Sequence, residues 1–188
     1  QLTAPRDEVR LGQALRLAVA VNDAPTVIRY SKEVLPEPID AVRRVGSVDV
    51  LFESEKPRVL VIGYGQLCSM AVEVGQRLAQ QGIGATVVDP LWALPVSPDL
   101  LAMITAHELV ISVEDGGLVG GLGARVAQEA RQAGVATPLR EFGVPTAFHA
   151  QASRSEILSA VGLTAQELAR FAIEQIAATE PSRSATSS

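Results

Sequence analysis

From residue 59 onward the sequence alternates short, wholly apolar runs with longer amphipathic ones, and that alternation leaves few folds open. Val59-Leu60-Val61-Ile62 runs unbroken between Arg58 and Gly63. A strand with one wet face alternates apolar and polar residues, so an unbroken run reads as a strand buried on both faces. Leu67, Met70, Ala71, Val74 and Leu78 then recur at helical spacing, and Gly82 supplies the stop. Ala85-Thr86-Val87-Val88-Asp89 is the next strand, Leu109-Val110-Ile111-Ser112-Val113 the third, and residues 138–142 a fourth. Ser97, Pro98 and Asp99 supply a helix cap, a proline at the first helical position and a first-turn acid. Leu122, Val126 and Ala130 mark a helix ending at Gly134. Strands alternating with helices give an α/β domain, its sheet mainly parallel and flanked by helices.

Both ends depart from this pattern. Ser153 with Glu156, and Thr164 with Glu167, are capping boxes, so two helices follow with a break at Gly162. The serine-rich residues 180–188 read as a disordered tail. At the start, residues 7–21 read as a helix and Thr26-Val27-Ile28-Arg29-Tyr30 as a strand. A lone helix and strand cannot make a stable sheet of their own. Residues 1–36 are therefore expected to be a helix-strand remnant of another α/β domain. The alternative is a unit packed on the edge of the single sheet. Residues 37–47 read as a charged linker, and residues 48–179 as the main domain, entered by a strand at 48–52.

Composition narrows the class of function. With 16 Lys and Arg against 21 Asp and Glu the chain carries a charge of −5, which argues against nucleic acid as a partner. The single cysteine, Cys68, excludes an internal disulfide. No apolar stretch is long enough to span a bilayer, so no membrane partner is expected and a cytoplasmic location is.

Several motifs carry possible chemistry. Gly63-Tyr64-Gly65 follows a strand and opens a helix like a dinucleotide fingerprint, with Asp89 placed as a ribose acid. Cys68 stands where the third glycine belongs, and a plain tight turn is the simpler reading. Glu114-Asp115-Gly116-Gly117, then Gly120-Gly121-Leu122-Gly123, leaves a buried strand for a helix N-terminus. That loop can hold an anion, or serve as a close-packed turn. Cys68, His107 and His149 match no metal-ligand or nucleophile spacing. Arg29 closes a β-branched strand, where a guanidinium can grip a phosphate, though from spacing alone an ordinary exposed arginine is the simpler reading.

Ala4-Pro5-Arg6-Asp7-Glu8, Ala24 through Tyr30, the turn at residues 63–65, Val113-Glu114-Asp115-Gly116 with Gly120-Gly121, and Gly143-Val144-Pro145 occur in that order. Together they resemble the C-terminal portion of the 1-deoxy-D-xylulose-5-phosphate synthase family, transketolase-like enzymes dependent on thiamine diphosphate. The resemblance implies a transferase that joins pyruvate, after decarboxylation, to glyceraldehyde 3-phosphate for isoprenoid and thiamine biosynthesis. It implies a homodimer whose thiamine diphosphate and Mg²⁺ are bound by an N-terminal remainder, so these residues alone are expected to be inactive. No catalytic, cofactor-binding or metal residue carries over. Residues 1–36 become the tail of a pyrimidine-binding-type domain, and residues 48–179 a transketolase C-terminal-like domain. Arg29 is implied as a ligand of the acceptor's phosphate. Ser31, Lys32 and Glu33 stand where the family commonly has Pro, Arg and Gly, so Lys32 keeps a charge without the fork. The glycine loop is implied to be architectural. The alternatives are a non-catalytic dimerisation domain, a subunit of another transketolase-like enzyme, and a nucleotide-binding domain.

Overall fold

In the computed structural model, which describes residues 1–34 and 36–179, the apolar runs become the strands of one large sheet. A small parallel pair, β1 (Leu2–Thr3) and β2 (Val27–Ile28), with α1 (Glu8–Ala20) between them, comes first. Then follow β3 (Arg43–Val45), β4 (Val48–Glu53), β5 (Val59–Gly63), α2 (Cys68–Gln80), β6 (Ala85–Pro90), α3 (Pro98–Thr105), β7 (Leu109–Gly117), α4 (Leu122–Gln132), β8 (Leu139–Val144), α5 (Arg154–Ala160) and α6 (Ala165–Thr179). The spatial order is β3-β4-β6-β5-β7-β8. The four strands β6, β5, β7 and β8 run parallel, while β4 pairs antiparallel with β6 and β3 antiparallel with β4.

The unbroken apolar runs have a plain cause. Val59 and Val61 of β5 pack into one core with α2, α5 and α6, whereas Leu60 and Ile62 pack into a second with α3 and α4. Both faces of the central strands are covered, so neither set of alternating positions can be polar. Small residues let α2 lie close to the sheet. A Cβ on Gly63 would come within 3.0 Å of the Cys68 Cα and the Ala71 Cβ. The Gly63-Tyr64-Gly65 turn is thus accounted for by packing. The helix signals also resolve as expected: Ser97 Oγ accepts from Leu100 N, and Ser153 and Glu156 form a reciprocal box.

One expectation changes, and one alternative is set aside. Arg43–Val45, read as linker, is a strand, because Gly46 at φ +53° closes a two-residue hairpin and Arg43 pairs with Glu53 across β4. A short charged run gives no strand signal of its own; the hairpin partner makes it one. The N-terminal unit adds to neither edge of the large sheet, since β3 and β8 stand there. It bonds to the sheet's connections at Leu2, which forms a β-bridge with Leu94, at Thr3, whose hydroxyl donates to the Leu91 carbonyl, and at Ala4, whose carbonyl accepts from Gly65 N and whose side chain joins the core that holds Leu60 and Tyr64. The tail at residues 180–188 lies outside the described residues.

A buried ionic cluster fastens that unit. Arg6 Nη1 donates to Asp49 Oδ2 at 3.0 Å and to Asp89 Oδ2 at 2.6 Å. Its Nε and Nη2 donate to the Ile39 carbonyl. Arg10 Nη2 lies 2.5 Å from Asp49 Oδ2, and Arg44 donates to Asp49 Oδ1. Asp7 caps α1 through Arg10 N and also accepts from Ile39 N. Burial would raise the Asp49 carboxyl, but Arg44, Arg10 and Arg6 hold it below its ordinary value. For Asp89 burial outweighs Arg6 and Arg10, and pushes the carboxyl up to about 6. A folded-state value above the unfolded one means that the folded protein binds this proton more tightly. The stability it confers is full below about pH 4 and is lost as pH rises through 6. Urea titrations are expected to show the wild type losing ground to Asp89→Asn across that interval; a constant difference between the two would assign the proton elsewhere.

Candidate functional site

Ligands of open parallel sheets bind beyond the carboxyl ends of the strands, where successive connections leave in opposite directions. Here that point lies between β5, whose chain leaves toward β6, and β7, whose chain leaves toward β8. A cleft of about 160 Å³ opens there. Gly65 and Gln66 line it from the β5 loop, Asp115 from the end of β7, and Arg29, Tyr30 and Ser31 from the N-terminal unit.

The glycine-rich loop is organised around one acid. Glu114 is buried, and its Oε1 accepts from Gly123 N at 3.0 Å, in the first turn of α4. Unpaired amides and the helix dipole both favour a carboxylate at that end. Burial still raises the Glu114 carboxyl above its ordinary value, against the Gly123 and Leu122 amides and Arg29. A Cβ on Gly116 would lie 2.4 Å from Oε2, and one on Gly121 would lie 2.4 Å from Oε1. The glycines make room for a buried carboxylate that already fills the helix N-terminus. Gly116 and Gly117 belong to the end of β7, so the loop proper is shorter than the glycine pattern suggests.

Arg29 stands at the cleft. Its Nη2 donates to Asp115 Oδ1 at 2.7 Å, and its Nη1 lies 3.6 Å from Glu114 Oε2. The side chain is 36% exposed, so part of its donor fork faces solvent. Asp115 Oδ2 accepts from Arg154 Nη2 at 3.0 Å, and Arg154 Nη1 lies 3.5 Å from Glu33 Oε2. Lys32, next to Glu33 in the chain, is exposed. The pairing of Asp115 with both Arg29 and Arg154 had no sequence signal, since the three lie in distant segments.

The other candidates separate. Asp89 is taken up by Arg6 and is not open to a ribose. Cys68 is fully buried, which pushes its thiol well up and leaves no nucleophile. His107 bridges the Met103 carbonyl and the Thr86 hydroxyl, tying α3 to β6, while His149 is exposed. Among the described residues, no three His, Cys, Asp or Glu side chains come together as a metal site. No helix among them is long and apolar enough to cross a membrane.

Three comparisons bear on this geometry. The family model described as "Transketolase, C-terminal domain" matches residues 46–168. The chain is similar to the 1-deoxy-D-xylulose-5-phosphate synthase of Clavibacter sepedonicus, 48% identical over 177 residues, covering 94% of this chain and 27% of that protein. It is 45% identical over 184 residues to the synthase of the same name from Paenarthrobacter aurescens, covering 95% of this chain and 28% of that one. The chain thus spans little more than a quarter of these relatives. Among solved structures, a split-gene transketolase described as an inactive β4 tetramer superposes with a TM-score of 0.76 at 24% identity, covering 96% of this chain and 58% of that one. A transketolase mutant from Pichia stipitis gives 0.72 at 19% identity, with 95% and 25% covered. At these identities the structural likeness speaks for the fold.

Proposed function

Since this chain belongs to the transketolase C-terminal domain family, we propose that it is the C-terminal portion of a transferase that makes 1-deoxy-D-xylulose 5-phosphate. The substrates are pyruvate and glyceraldehyde 3-phosphate, and the product serves isoprenoid and thiamine biosynthesis. The observation that carries this reading is 48% identity, sustained along 94% of the chain, to a synthase of that name.

The intact enzyme is read as a cytoplasmic homodimer whose thiamine diphosphate and Mg²⁺ come with an N-terminal remainder, the cofactor supplying the electron sink. The residues present here do not fit that group. The described residues offer no metal-ligating cluster, and the amide of Gly123 is already taken by Glu114. No step is therefore assigned through it. Val9, Leu15, Val19 and Val34 are exposed on the N-terminal unit and suit a surface that meets further protein.

The contribution assigned to this chain is to orient the acceptor. Arg29 is read as a ligand of the glyceraldehyde 3-phosphate phosphate, which a guanidinium fits by paired N–H donors. In the intact enzyme, Arg29→Ala is expected to raise KM for glyceraldehyde 3-phosphate roughly 10- to 100-fold and to leave KM for pyruvate almost unchanged. Equal effects on both substrates would remove the phosphate role. The reaction itself is tested by following 1-deoxyxylulose 5-phosphate formation by the intact protein. Transfer of two-carbon units between sugar phosphates, with pyruvate untouched, would overturn it.

A further inference from the structure

Arg29 does not stand by itself. Glu33, Arg154, Asp115 and Arg29 form an alternating series of charges, and Asp115 is its centre, giving one oxygen to each arginine. Arg29 follows β2, Asp115 lies near the end of β7, and Arg154 opens α5, so the series joins three separate parts of the fold. It pins residues 29 to 33 at both ends: Arg29 directly, and Glu33 through Arg154. Gln66 Nε2 adds a bond to the Val34 carbonyl at 3.3 Å. Between the pins, Tyr30 and Lys32 are exposed, Ser31 is partly so, and none of the three lies in a helix or strand.

We infer that Asp115 is a positioning residue for the acceptor cleft: it aims the Arg29 guanidinium and, with Arg154, fixes the course of residues 30–32 along that cleft. The inference rests on the reading of Arg29 as the acceptor's phosphate ligand. A half-exposed arginine with no partner samples many rotamers, and ordering it on binding weakens the complex. Asp115 orders it beforehand and occupies Nη2, while Arg154 offsets the negative charge that would otherwise repel a phosphate. Glu114 Oε2 lies 3.6 Å from Nη1 of the same guanidinium, and Glu114 is itself fastened by Gly123 N.

The test uses the intact enzyme. Asp115→Asn keeps the shape and removes the charge. It is expected to raise KM for glyceraldehyde 3-phosphate about fivefold, with kcat and KM for pyruvate within about twofold, as suits partly exposed ion pairs. Amide hydrogen exchange across residues 30–34 should quicken severalfold, with the central strands unchanged, and Asp115→Glu should restore both values. Arg154→Ala leaves the direct Arg29–Asp115 pair in place and should quicken exchange in the same segment. Unaltered exchange there, or equal changes in KM for both substrates, would overturn the positioning role. An intact wild type that makes no 1-deoxyxylulose 5-phosphate would defeat the reading of function, and the exchange comparison would still decide whether Asp115 holds the segment.

Discussion

Arg6→Ala is expected to destabilise the fold by about 3–5 kcal/mol, the cost of leaving buried charge without its partner. Arg6 is 4% exposed and reaches both Asp49 and Asp89, which are 1% and 3% exposed. Removing it leaves Asp49 to Arg10 and Arg44, while among the described residues Asp89 keeps Arg10 alone as a cationic partner, 3.9 Å away. The Ile39 carbonyl loses two donors as well. At this size each kcal/mol corresponds to about 2–4 °C, so Tm should fall by roughly 6–20 °C. Thermal and urea unfolding measure it. Adding Asp89→Asn to Arg6→Ala should recover part of the loss, because the orphaned charge is then gone. A loss under about 1 kcal/mol would mean that water reaches these carboxylates, and the cluster would not be what fastens the N-terminal unit.

The second large effect concerns the glycine loop. Gly121→Ala places a Cβ 2.3 Å from the Gly117 carbonyl oxygen and 2.4 Å from Glu114 Oε1. The carbonyl is backbone and cannot turn aside, and Glu114 can move only by giving up the Gly123 amide. A loss of about 2–4 kcal/mol is expected, overpacking combined with a broken hydrogen bond to a buried charge. Its neighbour is the control. Gly120 has φ +73° and nothing within 4 Å of its notional Cβ, so Gly120→Ala should cost only about 1 kcal/mol of backbone strain. Urea midpoints in the reverse order would show that the loop is shaped by its turn and not by Glu114.

The central strands were legible because they are covered on both faces. Nothing but apolar residues can occupy Val59-Leu60-Val61-Ile62 when alternate side chains enter different cores. The caps at Ser97 and Ser153 were legible because their partners lie three residues away in the chain. What stayed hidden depends on distant residues. Strand β3 exists only against β4, and its arginines carry no β signal. Asp89 has the placement of a ribose acid, yet Arg6, 83 positions earlier, claims it. Arg29 became a candidate through the family resemblance, whereas its pairing with Asp115, and that of Asp115 with Arg154, appear only in three dimensions.

Ile39 is grasped at both its carbonyl and its amide, by Arg6 and Asp7. The crossing between the two units is therefore clasped before the chain reaches β3, and the exposed residues Asp40 and Ala41 beyond it carry no such load. A break between them would keep the clasp on Ile39 within the first piece and leave the bonds of Arg6 to Asp49 and Asp89, and of Arg10 to Asp49, to join the two pieces across the cut. The intact peptide there acts chiefly as a tether, holding the two pieces at an effective concentration in the millimolar range. Docking that is only micromolar between free pieces is then nearly complete within one chain. The same fold can in principle be shared between two polypeptides wherever their concentration exceeds that dissociation constant.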